Sequence, residues 1–304
     1  MRRRREPRTK AFLVSFVAVF ALLVGAGVFL AYQTTQPVVH HIPGTLPIYR
    51  SAITEYAPAD ALQFTFRNFT AVRALNSSLY TTGSLFTSLT PAYSLRTADV
   101  GSLISVVFSE PNATVDIALV SPQAFASFNG LMEARGPQPV VEGDARLYFT
   151  QIVGTSGFVS GWLLSMPSKD AIGFSQGASS AKTVIDRVLG VGNGTAPSLF
   201  SRTDADQMFY VLGGPDGHLA FTFENFPGLV STGEITLQTV DLNRSMVHSS
   251  YLVKFADANT AMSQFDFVKA EYFTGQYFAI YDQYVLALKS QPESALFGAV
   301  QSVG

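Results

Sequence analysis

A strict alternation of apolar and polar positions occurs twice in nearly the same words. Residues 58–69 read PADALQFTFRNF and residues 215–226 read PDGHLAFTFENF. Both fit P-x-x-x-L-x-F-T-F-x-N-F at a constant offset of 157. Leu, Phe and Phe at every second position, with polar residues between, is the period of a strand that buries one face. Two further stretches recur in the same order. AFASFNGLM (Ala124–Met132) aligns with AMSQFDFVK (Ala261–Lys269), each after an apolar strand, VDIALVS and SYLVKF. Both read as helices; Ser121 caps the first, with Pro122 at its first position and Gly136-Pro137 as its stop, and Asp257 caps the second.

The third match runs from Gly161–Gly190 against Gly275–Gly304. The strands WLLSM and AIGF correspond to YFAIY and YVLAL, with Ser175 facing Lys289 in the alignment. The closing helices carry Ala181, Val184, Ile185 and Val188 against Leu296, Ala299, Val300 and Val303, spaced as one helical face. One duplicated unit, whose first copy gained insertions near 77–100 and 133–157, accounts for all three matches. Each copy reads β, ββ, α, ββ, α, which predicts an α+β fold with antiparallel sheet on one side and helices on the other. The first copy spans 57–190 and the second 214–304. Between them, 191–213 reads as a linker and a leading strand, MFYVLGG, that turns through Pro215-Asp216-Gly217. The two copies either pack with pseudo-twofold symmetry or form one continuous sheet.

At the other end of the chain the pattern has no period. Residues 11–32 read AFLVSFVAVFALLVGAGVFLAY, without a charge. As a helix the run would be about 33 Å long against a hydrocarbon core of about 30 Å. It therefore predicts a transmembrane signal anchor at 11–32, with a cytoplasmic basic N-terminus at 1–10, a stalk at 33–56 and an extracellular duplicated domain. A cleaved signal peptide ending near Gly25-Ala26-Gly27 is the competing reading. Arg2, Arg3, Arg4, Arg5, Arg8 and Lys10 supply six of the 20 basic residues. The chain beyond residue 32 is left with 14 basic against 21 acidic residues, a balance that opposes nucleic-acid binding. Cysteine is absent, which removes disulfides and thiolate metal sites. Apolar residues at 47%, including 25 Phe and 12 Tyr, supply a large core and exclude disorder over most of the chain.

Five of the eight asparagines open N-x-[S/T] sequons: Asn68, Asn76, Asn112, Asn193 and Asn243. Chance predicts about 1.4, so the excess points to a glycosylated, cell-surface exterior.

One motif carries catalytic chemistry. Gly173-Phe174-Ser175-Gln176-Gly177 fits G-x-S-x-G and lies between a strand and a helix. Over about a dozen residues it resembles the nucleophile elbow of the carboxylesterase and acyl-protein thioesterase group. That resemblance implies Ser175 as nucleophile, an acid from Asp204, Asp206 or Asp216, and His218 or His248 as base. Against it, the upstream pattern is hairpins where a hydrolase needs βαβ crossovers, and no His-Gly oxyanion loop precedes the motif. The structural alternative is a tight strand-to-helix turn with Ser179 or Ser180 capping the helix. Asp204-Ala205-Asp206, read on an extended strand, lacks the further ligands of a calcium loop, and His40-His41 lacks a third metal ligand. No phosphate loop or dinucleotide fingerprint is present, so no cofactor or metal is expected. Tyr272, Phe273, Tyr277, Phe278, Tyr281 and Tyr284 are dense enough to form an aromatic surface for a ligand or partner.

These observations together predict a membrane-anchored, non-enzymatic surface protein that binds a protein partner or small ligand. A membrane-tethered serine esterase and an accessory subunit of a membrane complex are the alternatives.

Overall fold

The computed structural model describes residues 17–26, 37, 39–42, 55–75, 95–154, 157–177, 179–212, 220–225, 231–241, 246–271 and 277–292. The chain divides into two units, Met1–Val39 and His40–Gly304. In the first, residues 17–26 form helix α1, whose ten residues are all exposed. Ten residues rise only about 15 Å, half of a hydrocarbon core. No helix among the described residues is long and apolar enough to cross a membrane. The transmembrane helix and signal anchor expected at 11–32 are therefore corrected: the apolar run extends over 22 residues, but its described helix covers fewer than half of them. The rest of that run lies outside the described residues.

The second unit is mixed α+β. Its strands are β2 (Gln63–Asn68), β3 (Val100–Ser109), β4 (Asn112–Val120), β5 (Val140–Glu142), β6 (Ala145–Gly154), β7 (Gly157–Met166), β8 (Ala171–Gln176), β9 (Ala220–Asn225), β10 (Ser231–Asp241), β11 (Met246–Phe255), β12 (Tyr277–Tyr281) and β13 (Tyr284–Pro292). With the two-residue β1 (Val39–His40) they form a 13-stranded sheet ordered β1-β12-β13-β11-β10-β9-β2-β3-β4-β8-β7-β6-β5. Its helices are α2 (Phe69–Leu75), α3 (Pro122–Arg135), α4 (Ser179–Gly192), α5 (Thr203–Leu212) and α6 (Ala258–Glu271).

The two F-T-F segments stand side by side at the sheet centre. β2 pairs antiparallel with β9, and Thr65 lies directly opposite Thr222, its own counterpart at the offset of 157. Phe64 faces Phe223, and Phe66 faces Phe221. Outward from this seam the order repeats on both sides: β3 and β10, β4 and β11, β8 and β13, β7 and β12. Helices α3 and α6 follow β4 and β11. β5 and β6 fall within 133–157 and extend the first half alone. The 293–304 segment, expected as the second closing helix, lies outside the described residues.

In an antiparallel sheet, directly opposite residues point to the same side. Phe64, Phe66, Ile104, Val106, Val115, Ile117, Phe223, Ile235 and Leu237 therefore share one face, where α4 and α5 cover them with Val184, Ile185, Val188, Met208 and Phe209. On the other face, α3 lays Phe125, Phe128 and Met132 over Leu163, Ile172 and Phe174. In the second half, α6 packs on that same side through Phe265, whose ring meets Phe278 edge-on at 6.4 Å.

One expected strand is a helix. MFYVLGG begins inside α5, because Ala205, Met208, Phe209 and Leu212 are spaced i, i+3, i+4, i+7 and the first three are fully buried. Asp204 and Asp206 occupy its first turn, where carboxylates oppose the positive end of the helix dipole. They are not on an extended strand.

Candidate functional site

Between α3 and α6 the second face of the sheet carries polar side chains. The register aligns six of them in one row, each on its own strand: Asp116, Ser105, Thr65, Thr222, Thr236 and Tyr251. Every one is half-buried and bears a hydroxyl or carboxyl group. Five strand spacings make the row about 24 Å long. Thr65 Oγ1 donates to Thr222 Oγ1 at 3.4 Å across the seam. Ser105 Oγ donates to Asp116 Oδ1. Burial pushes the Asp116 carboxyl above its ordinary range, opposed by that hydrogen bond and by the charge of Arg67.

Two neighbouring rows flank it. One contains Gln63, Glu224 and Glu234, with Gln63 Nε2 donating to Glu224 Oε1 at 2.8 Å. Burial raises the Glu224 carboxyl as well, against the pull of Gln63. The other contains the exposed Arg67 and, beyond Ala220, Gln238. Arg67 and Glu224 are themselves 157 apart, so equivalent places beside the seam carry opposite charges. The central row offers hydroxyl donors and acceptors along its length, and the flanking rows add charged groups of both signs. Among the described residues these three rows contain no histidine.

The residues of the G-x-S-x-G motif are elsewhere. Ser175 lies on β8, opposite Val115 and Trp162 on the apolar face, with no exposed surface. Its hydroxyl has no hydrogen-bond partner. β8 is antiparallel to both neighbours, so no parallel strand-to-helix crossover presents the serine at a sheet end. The motif's glycines have steric reasons. A Cβ on Gly173 would sit 3.2 Å from the Asp116 carbonyl oxygen, and Gly177 has φ +109°.

The register also corrects the counterpart of Ser175. The β7–β8 connection is longer than the Asp282-Gln283 turn between β12 and β13, and Phe174 occupies the place of Ala287. Ser175 therefore matches Leu288, which packs on the same core, rather than Lys289.

His248 is on β11, where its Nδ1 lies 2.7 Å from Ser290 Oγ. Six strand spacings, about 29 Å, separate β11 from β8. Asp204 is held by Arg202 at 2.8 Å and Lys254 at 2.7 Å. Burial would raise its carboxyl, but those two cations outweigh burial and hold it well below the usual carboxylate range. Asp206 is buried, with one carboxyl oxygen unpartnered and its pKa raised by burial. His218 and Asp216 lie outside the described residues. The structure thus brings Ser175 together with neither Asp204 nor His248.

The other sequence candidates also have places. His41 Nδ1 meets Asp282 Oδ1 at 2.6 Å, Ile42 N–H donates to Asp282 Oδ2 at 2.8 Å, and the His40 ring stacks on Tyr281. Among the described residues no three His, Cys, Asp or Glu could share a metal ion. The aromatic run is dispersed: Tyr277 is exposed, Phe278 meets α6, and Tyr284 is buried with its hydroxyl 3.0 Å from Gln207 Oε1; Tyr272 and Phe273 lie outside the described residues. Asn68 accepts the Ala71 N–H at 3.1 Å and caps α2. Asn112 and Asn193 are exposed, whereas Asn76 and Asn243 lie outside the described residues.

Sequence reasoning missed the polar row itself. Its signal was the Thr between the two Phe of each repeat, whose common offset marks equivalent positions without revealing that they are adjacent.

No family model matches the chain, and no curated protein matches it. Among solved structures, the chain is similar to crystal forms of TP0453. Form III gives a TM-score of 0.47 at 11% identity, covering 83% of this chain and 99% of that one. Form IV gives 0.46 at 10% identity, over 83% and 97%. Form I gives 0.46 at 11%, over 84% and 99%.

Proposed function

We propose that the chain is a binding protein and not an enzyme, and that its ligand lies along the polar row between α3 and α6. The supporting observation is the register: six hydroxyl- or carboxyl-bearing side chains follow one another across both halves without an apolar interruption. Hydroxyls donate and accept alike. A carboxyl with a raised pKa donates when it keeps its proton. Such a row suits a neutral, hydroxyl-rich ligand of the saccharide or polyol class.

The full chain is tested by thermal denaturation against a panel of oligosaccharides and polyols. At least one should raise the melting temperature of the native chain and leave the Thr65→Val/Thr222→Val double variant unmoved. A panel without effect, or an equal response from the variant, refutes the reading.

A further inference from the structure

β6 has ten residues, yet β5 pairs with only Ala145, Arg146 and Leu147. The reason is in the sequence before β5. Pro137 and Pro139 lack the N–H that a continuing ladder needs, so pairing stops at Val140. Among the described residues, no strand pairs with Tyr148–Gly154 on the side away from β7.

That edge lacks the usual protection. Natural edges carry lysine, proline or an inward charge, whereas Tyr148–Gly154 reads YFTQIVG, uncharged and rich in β-forming residues. Phe149 is 50% exposed, with its ring edge-on to Trp162 at 5.4 Å. Both line a groove of about 430 Å³ walled by Ser179, Lys182, Thr183 and Asp186 of α4. Lys182 is shared by Glu142 and Asp186, one cation between two carboxylates, so the lining residues present no free cation to an anionic guest.

We infer that a second copy of this chain occupies this edge, its β6 running antiparallel to the first about a twofold axis at Gln151. An uncharged strand meets no electrostatic penalty against itself. The molecule already joins its own equivalent strands, β2 and β9, in this manner. The pairing would place Phe149 of each copy opposite Val153 of the other and continue the sheet from one copy into the next.

The chain has no cysteine, so one introduced thiol reports on the axis. Directly opposite residues of antiparallel strands have Cα atoms about 4.5–5.5 Å apart, within the range of roughly 4.4–6.8 Å that a disulfide spans. Gln151 is exposed, and its Nε2 makes a long 3.5 Å hydrogen bond to Ser160 Oγ. Full-length Gln151→Cys should form a disulfide dimer under mild oxidation, while Ala258→Cys, on the exposed start of α6, should not. Sedimentation equilibrium should show a dimer for the native chain. Gln151→Lys should raise its dissociation constant at least about tenfold by bringing two like charges together, with an unchanged melting curve measured at a concentration where both are monomeric. A native chain that stays monomeric up to its solubility limit overturns the inference. So does a dimer that survives Gln151→Lys undiminished, or one whose Gln151→Cys form does not crosslink.

Discussion

Replacing Ser175 by alanine separates the catalytic and structural meanings of its motif by sign. The hydroxyl is fully buried, has no hydrogen-bond partner and sits where the other half of the sheet places Leu288. An unsatisfied buried hydroxyl costs about 1–3 kcal/mol by protein mutational data. Removing one oxygen leaves a void no larger than a water probe, about 10–15 Å³. At ~24 cal/mol per Å³ that void returns at most a few tenths of a kcal/mol. Ser175→Ala should therefore stabilise the fold by about 1–2 kcal/mol, a rise of roughly 2–8 °C in melting temperature for a unit of this size. Circular dichroism in urea and on heating measures this. A fluorophosphonate probe applied to the native chain in parallel should leave Ser175 unlabelled. A variant less stable than the native chain by 1 kcal/mol or more would show that the hydroxyl has a partner. Labelling that Ser175→Ala abolishes would restore the nucleophile.

Two further substitutions test the electrostatics. Asp204 has its folded pKa depressed by Arg202 and Lys254, so its stabilisation is present above the ordinary carboxylate value and is lost as pH falls through the folded one. Asp204→Asn should lower stability by about 1–3 kcal/mol at neutral pH, less than for a fully buried pair; the gap to the native chain should narrow below about pH 4 in acid titrations followed by circular dichroism. Asp116 is the opposite case: burial raises its folded pKa, so ionisation opposes folding. Asp116→Asn should be the more stable protein in urea melts at neutral pH. That advantage should shrink as pH falls through the raised folded value and level off below about 4, where the carboxyl becomes protonated in the unfolded state as well; an advantage independent of pH would remove burial as its cause.

Phe64, Phe66 and Phe223 show what a sequence can reveal here. Their period-2 spacing announces half-buried strands, because a pleat turns alternate side chains to opposite faces. The offset of 157 announces equivalence. Neither discloses that β2 and β9 touch, since strand neighbours are chosen by the whole chain. α5 was legible in Ala205, Met208, Phe209 and Leu212, but a window opening at Met208 sees only a short apolar run, which suits strand or helix. The 11–32 run misled in another way: hydropathy measures what a segment would bury, and among the described residues no helix is long and apolar enough to cross a membrane. Asp116, Ser105 and Thr236 were invisible as a site, because polar residues alternating in a strand look like an ordinary wet face until the register sets them in line.

The opposite charges of Arg67 and Glu224 have a consequence for any guest on the palindromic seam. Twin halves alone would accept a molecule head-first or tail-first with equal ease, dividing its population between two poses. A cation at one twin place and an acid at the other abolish that degeneracy, so a frame with matching halves acquires a direction.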